Sequence, residues 1–180
     1  LRKVAAEGSE GWSQLATPRM PGWLRSPLKD AYGSEVVAAI EVAQFAGAPL
    51  DITAKGNPNA ANEKLKGEIL PNKTIRLRDA GQVSTLPGFE AGDWWVQDAA
   101  AASPVQVLAP QKGEKILDLC AAPGGKTMQL ASSGADVTAV DSSEGRMIRV
   151  GENLTRTGLS ARMIMADAFA FTEDGFDAVL

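Results

Sequence analysis

The chain has 180 residues, 44% hydrophobic and 22% charged, a composition that fits one globular domain or two small ones. A single cysteine and no histidine exclude a disulfide framework, a zinc site and the histidine-based catalytic triads, and no apolar run approaches the roughly 20 residues of a membrane span. The net charge of −4 argues against strong indiscriminate binding to nucleic acid. We therefore expect a cytoplasmic, monomeric protein without a metal.

Residues 1–47 are predicted to form a linker followed by a helical segment. Residues 1–16 are mostly small or polar, and residues 17–33 are rich in the proline and glycine typical of turns. Apolar residues then recur at helical spacing from 34 to 46, with Ser34 as a candidate N-cap and Gly47 just past the end.

Residues 48–110 are predicted to form a small α+β subdomain that ends in a helix. Alternation at 49–55 and at 74–78 indicates two half-buried strands, and Asn57-Pro58 begins a helix between them that Gly67 closes. Asp98 can cap a further helix through Leu108, in which Pro104 is expected to produce a kink or a restart.

Two features of this subdomain bear on function. Residues 51–80 carry six Lys and Arg against four Asp and Glu, a net charge of +2, which fits either a solvated strand face or a surface that neutralises RNA phosphates. Trp94 and Trp95 are predicted to pack in a core rather than to stack on bases.

Residues 111–180 alternate between short apolar strands and helices. Strands are predicted at 116–120, 136–140, 162–166 and 176–180, with helices at 126–132 and 143–157. This alternation indicates a doubly wound α/β sheet, whose ligand is expected at the carboxyl ends of the strands.

The glycine turn after the first of these strands is the strongest motif of the chain. Residues 115–127 read K-I-L-D-L-C-A-A-P-G-G-K-T, a buried strand, a tight turn and a new helix. A Walker A loop would need glycine where Cys120 stands, and the adjacent glycines cannot form a G-x-G-x-x-G fingerprint. Neither phosphate-binding motif therefore fits.

The turn instead resembles the first motif of the RNA cytosine-C5 methyltransferases of the Sun/Fmu type, with a nearly unbroken match over residues 117–127. The segment 86–98, L-P-G-F-E-A-G-D-W-W-V-Q-D, is also similar to that family, as is the W-L…Y-G pattern before residue 34. The resemblance covers roughly residues 20–180. It implies a Rossmann-like class I methyltransferase sheet, truncated after its fourth strand and preceded by a small RNA-binding-like subdomain.

The resemblance also implies S-adenosyl-L-methionine as cofactor and RNA, with ribosomal RNA favoured, as partner. Asp141, about 20 residues past the turn at the end of the second strand, would accept from the ribose hydroxyls. Asp167, or a neighbour, would face the adenine, with a helix cap as the alternative role of Asp167. Lys126 would either balance the charge of the cofactor carboxylate or simply cover the start of the helix. The cofactor-binding residues implied in this way are Cys120, Ala121, Ala122, Pro123, Gly124, Gly125, Lys126, Asp141 and Asp167.

Cys120 is the residue that could be mistaken for a nucleophile. C5 methylation of cytosine needs a thiolate that attacks C6, but Cys120 ends a buried strand, so we expect a small buried hydrophobic residue instead. The family's nucleophilic cysteine is expected beyond Leu180. We expect the chain to be a piece of a longer protein that holds the cofactor half of the site and is inactive alone. A non-catalytic RNA-binding protein and an NAD-type oxidoreductase stay open as alternatives.

Overall fold

The computed structural model describes residues 15–78 and 80–180, which divide into two compact units at Ala48 and Pro49. The linker predicted for residues 1–14 lies outside the described residues, and the three-part division drawn from the sequence stays a prediction. None of the helices in the described ranges is both long and apolar enough to cross a membrane.

The first unit contains two helices, α1 (Gly22–Tyr32) and α2 (Ser34–Ala46), joined at Gly33. Helix α2 was predicted with these bounds, although Gly33 rather than Ser34 occupies the N-cap position. The turn-rich prediction for 17–33 is wrong over α1, which runs through Pro27. Proline removes only one backbone hydrogen bond of the helix, and most of the flanking residues are good helix formers.

A four-stranded antiparallel sheet opens the second unit, and we call it the small sheet. Its strand order is β2-β3-β1-β4. The elements are β1 (Leu50–Ala54), α3 (Pro58–Leu65), β2 (Glu68–Ile69), β3 (Ile75–Leu77), a 3-10 turn (Val83–Thr85) and β4 (Trp94–Val96). The two strands and the helix predicted for this region are confirmed, and Asn57 caps α3 by accepting from the backbone N–H of Asn59. Strands β2 and β4 were not predicted.

The two faces of the small sheet differ in chemistry. Ile52, Ile75 and Trp94 lie on one face and form a buried apolar cluster with Leu77. The opposite face carries Asp51 and Arg76, which are paired across β1 and β3 with an N–O distance of 2.7 Å. Asp51 also accepts from the backbone N–H of Ala99, so this polar face is turned towards the helix that follows.

That helix, α4 (Ala99–Leu108), leads into a parallel sheet of order β7-β6-β5-β8. Asp98 caps α4 as predicted, and the helix continues through Pro104. The remaining elements are β5 (Lys115–Leu119), α5 (Gly125–Ser132), β6 (Asp136–Asp141), α6 (Glu144–Thr157), β7 (Arg162–Met165) and β8 (Ala178–Val179).

The order of the parallel strands identifies the fold. Strand β5 is central, the chain moves outward through β6 to β7, and it then returns to the other side of β5 as β8. This reversal creates the switch point at which doubly wound sheets bind their ligands. The predicted doubly wound, Rossmann-like sheet is confirmed, and each predicted strand and helix of 111–180 is present within about two residues of its expected bounds.

Candidate functional site

The site is built on the turn between β5 and α5. The chain leaves β5 at Cys120, which has a left-handed backbone (φ 60°), and Gly124 has φ 100° immediately before α5. The N–H of Ala121 donates to the carbonyl of Val140 in β6, so the turn is attached to the neighbouring strand. The backbone is therefore held at the carboxyl edge of the parallel sheet, where the sequence predicted a ligand.

The two glycines of the turn serve packing. A Cβ on Gly124 would lie 3.2 Å from Cγ1 of Val150, and one on Gly125 would lie 3.5 Å from the side chain of Gln97. Gly124 therefore lets α6 approach the turn closely, in a left-handed conformation that other residues adopt at a cost.

Asp141 joins the end of β6 to the turn. Its carboxylate is buried and accepts from the backbone N–H of Ala122 (3.1 Å) and from that of Ser143 (3.0 Å). Arg146 stands 3.9 Å from Oδ2 and donates to the carbonyl of Ala122. A carboxylate offers about four lone-pair positions, so two of them stay available to a hydroxyl-bearing ligand.

The position of Cys120 differs from the expectation. The residue is exposed, whereas a buried hydrophobic residue was predicted. The physical reason is its left-handed backbone, because the chain turns out of the sheet at this residue and carries the thiol away from the core. Two of the following residues, Ala121 and Ala122, are the buried ones.

The other two charged residues of the prediction lie at the same edge of the sheet. Asp167 follows β7, is exposed, and accepts from the backbone N–H of Phe169 in a local turn. Lys126 is half-buried in the first turn of α5 and has no acidic partner within 4 Å among the described residues. The roles assigned to Asp167 and Lys126 stay predictions.

A cavity of about 530 Å³ opens beside the turn. Six of the nine predicted residues line it, namely Cys120, Ala121, Ala122, Pro123, Gly125 and Lys126. Gly124, Asp141 and Asp167 do not. The predicted set is therefore divided between this cavity and the edge formed by the ends of β6 and β7.

Three residues of α6 also line the cavity, and sequence reasoning missed them. Arg149, Asn153 and Arg156 recur at the spacing of one helix face, which was the available signal. Arg156 donates to the carbonyls of Phe89 and Trp94, and its guanidinium lies 4.2 Å from the centre of the Phe89 ring. It therefore fixes α6 against the segment that precedes the small sheet's last strand.

Asp118 is a fourth residue that was missed. It lies in β5 with no exposed surface, and its Oδ2 accepts from the hydroxyl of Thr127 at 2.6 Å, while its Oδ1 has no partner among the described residues. Burial raises the pKa of this carboxyl, against the opposing effects of the Thr127 hydrogen bond and of Lys126. The Asp118–Thr127 contact secures α5 to the strand that it follows.

The turn offers donors that suit a cofactor carrying a carboxylate. Within the described part of the chain, the backbone N–H groups of Gly125, Lys126 and Thr127 donate to no acceptor, as is usual for the first turn of a helix. Free N–H groups at a helix N-terminus favour an anion. These donors, the spare lone pairs of Asp141 and the adjoining cavity together fit the cofactor implied by the resemblance.

Comparison with known proteins finds a family model and relatives that match parts of this chain. Residues 105–180 match the model of the family described as 16S rRNA methyltransferase RsmB/F. The chain is also 40% identical over 176 residues to ribosomal RNA small subunit methyltransferase B of Cronobacter sakazakii, a match that covers 89% of this chain and 41% of that relative. Over these residues the chain is similar to the RsmB/F methyltransferases.

A second relative and a solved structure are also similar to the chain. The chain is 53% identical over 95 residues to the methyltransferase of the same name from Citrobacter koseri, covering 52% of this chain and 22% of the relative. It spans about two fifths of the length of the Cronobacter relative. The crystal structure of NSun6 from Pyrococcus horikoshii superposes with a TM-score of 0.66 at 16% identity, over 82% of this chain and 66% of that one, which is a likeness of fold.

Proposed function

We propose that this chain belongs to the RsmB/F family and supplies the cofactor-binding part of an enzyme that transfers a methyl group from S-adenosylmethionine to C5 of a cytosine in RNA. Small-subunit ribosomal RNA is the proposed substrate, in keeping with the names of the relatives. A cytoplasmic and monomeric protein remains part of the proposal. The observation that carries it is the Asp141 carboxylate bound to the backbone of the glycine turn at the carboxyl edge of the parallel sheet.

The start of α5 and Asp141 would hold the cofactor. The free N–H groups of Gly125, Lys126 and Thr127 would donate to its carboxylate, and Asp141 would accept from its ribose hydroxyls through the lone pairs that Ala122 and Ser143 leave unused. When bound, the cofactor supplies an electrophilic methyl group on a sulfonium.

The thiolate that attacks the cytosine is a different group from the thiol of the cofactor turn. Cys120 is exposed and lines the cavity, but it stands in the turn that binds the cofactor. We propose that Cys120 lies beside the bound cofactor. The covalent attack on the cytosine is made by a cysteine outside these 180 residues.

Calorimetric titration of the 180-residue chain with S-adenosylhomocysteine, with NAD as the control ligand, tests the proposal. We expect the homocysteine nucleoside alone to bind. Asp141→Asn should weaken binding about ten- to a hundredfold, because one hydrogen bond to a charged group contributes about 1.5–3 kcal/mol.

Cys120→Ser is the matched control, because it changes one atom in the same turn and should leave the affinity within about twofold. Circular dichroism of each variant shows whether it is folded, and Asp141→Asn keeps one acceptor for the turn. Binding of NAD in place of S-adenosylhomocysteine, or equal losses in the two variants, would contradict the assignment.

A further inference from the structure

Two buried hydroxyl groups on the polar face of the small sheet have no hydrogen-bond partner. Strands β1 and β3 pair Asp51 with Arg76 and Ile52 with Ile75, and the same antiparallel register places Thr53 beside Thr74. Thr74 is 2% exposed, and neither its Oγ1 nor that of Thr53 meets a partner in the described ranges. Buried hydroxyls without a protein partner are uncommon, and a bound water or ion is a usual reason for them.

Both hydroxyl-bearing side chains line one small pocket between the small sheet and helices α4 and α5. The pocket has a volume of about 150 Å³. This is room for a few water molecules at about 30 Å³ each, and it is below the roughly 300 Å³ at which sites for whole small molecules begin. The pocket is thus suited to one compact polar group.

The other polar side chains of this pocket are already engaged. The Gln129 amide accepts from Gln97 and donates to the carbonyl of Ala102, and Gln106 donates to the carbonyl of Asn72. Asn72 and Ser132 also donate to backbone carbonyls. Apart from Lys73, the two threonine hydroxyls are therefore the polar side-chain groups of this pocket that have no hydrogen-bond partner in the described part of the chain.

The charges around the pocket favour an anion. No carboxylate lines it, Gly56 and Pro58 bring the N-terminus of α3 to its wall, and Lys73 lines it as well. A helix N-terminus carries a partial positive charge. Lys73 contributes a full positive charge.

Lys73 also differs from most basic residues of the segment 51–80. Four of the six have a partner: Lys55 donates to the carbonyl of Thr157, and Lys64, Arg76 and Arg78 stand within 4 Å of a carboxylate. Lys66 and Lys73 have none among the residues that the structure describes. The net positive charge predicted for an RNA-facing surface is thus available at two places, one of which is this pocket.

We propose that the Thr53–Thr74 pocket binds a phosphate oxyanion, with the two hydroxyls and Lys73 as its contacts. The group is either a phosphate of the RNA backbone or a free phosphate ion. The RNA source rests on the function proposed above, whereas the preference for an oxyanion does not. In the RNA case the pocket fixes the register of the substrate strand at a distance from the cofactor turn.

Nuclear magnetic resonance of the 180-residue chain tests this inference. Inorganic phosphate is titrated against chloride at constant ionic strength, and a short single-stranded RNA is titrated separately, while the amide signals of Thr53, Thr74 and Lys73 are followed. We expect both ligands to shift these signals.

Two variants and a control make the test specific. Thr74→Val keeps the shape of the side chain and should raise the dissociation constant for phosphate about tenfold or more, since a hydrogen bond to a charged group is lost. Lys73→Gln should raise it severalfold. Lys66→Gln is the matched control, because Lys66 shares the left-handed backbone of Lys73 and its unpaired charge but does not line the pocket, and it should change nothing.

The possible outcomes distinguish the two sources of phosphate, and they distinguish this proposal from the proposed cofactor function. Shifts with phosphate that RNA reproduces assign the pocket to the RNA backbone, and shifts with phosphate alone assign it to the free ion. Absence of shifts with either ligand, or equal binding by Thr74→Val, means that the pocket holds only water and overturns the inference. Thr74→Val removes a buried unpaired hydroxyl and should stay folded. Because S-adenosylhomocysteine binding is measured separately, failure of the cofactor site leaves this result intact, and the reverse also holds.

Discussion

Gly92 lies where the turn before β4 meets the end of α6. Its φ is 70°, and a Cβ at this position would come within 2.1 Å of the carbonyl oxygen of Arg156 and 2.7 Å of Cα of Thr157. Both neighbours are backbone atoms of a helix, so neither can move aside as a flexible side chain would. Gly92→Ala is therefore expected to destabilise the protein strongly.

The size of the effect follows from two contributions. A left-handed alanine costs about 1–2 kcal/mol, and forcing an extra methyl group into a packed contact costs about 1–3 kcal/mol. The sum of about 2–5 kcal/mol is a large part of the roughly 5–15 kcal/mol by which domains are stable. At a denaturant slope of about 2 kcal/mol per M, the urea midpoint should fall by about 1–2.5 M.

Gly113→Ala is the matched control for this experiment. Gly113 has φ 82°, and a Cβ there meets nothing within 4 Å, so alanine adds only the backbone contribution of about 1–2 kcal/mol. The assay is urea unfolding followed by tryptophan fluorescence, with the free energy of unfolding compared between the two variants. If both lose the same stability, the close approach of Gly92 to α6 is not real and the reasoning fails.

Two buried aspartates should respond to pH in opposite directions. Burial raises the pKa of Asp118. The contribution of this carboxyl to stability is therefore present at acidic pH and is lost as the pH rises through the raised pKa. The native chain should lose more stability than Asp118→Asn between about pH 4 and about pH 7. The hydrogen bond from Arg76 holds the pKa of Asp51 below its ordinary range. The contribution of the Asp51 carboxylate to stability is therefore lost on acidification. Asp51→Asn should be less stable than the native chain at about pH 7, and the two should reach the same stability in acid. Urea midpoints at each pH measure both effects, and a parallel pH profile for native chain and variant would contradict either assignment.

Much of the fold could be predicted because its elements follow simple periodicity. Strands β5 and β6 are short apolar runs bounded by turn residues, and α6 has one apolar face with a glycine stop. Strand β2 has only two residues, both exposed, and it exists because β3 lies beside it. A local pattern carries no signal for such a strand. Helix α1 was missed because Pro27 was given more weight than the helix formers around it.

The candidate site was predicted less completely. The turn and Asp141 follow from a motif and a spacing, and the structure brings them into contact. The exposure of Cys120 depends on a left-handed backbone angle that the preceding apolar run does not reveal. The unpartnered hydroxyls of Thr53 and Thr74 arise from the register between two strands and from the helices packed on them. Such a pocket could not be predicted from either strand alone.

The adjacent tryptophans of β4 bear on the cooperativity of the molecule. Successive side chains of a strand point to opposite faces, and Trp94 enters the apolar cluster of the small sheet while Trp95 enters the cluster formed by α5, α6 and the glycine turn. Both are 1% exposed. The two hydrophobic clusters are therefore joined through β4, and neither can open without disturbing the strand that also anchors the other. The antiparallel and the parallel sheet are expected to unfold as one unit.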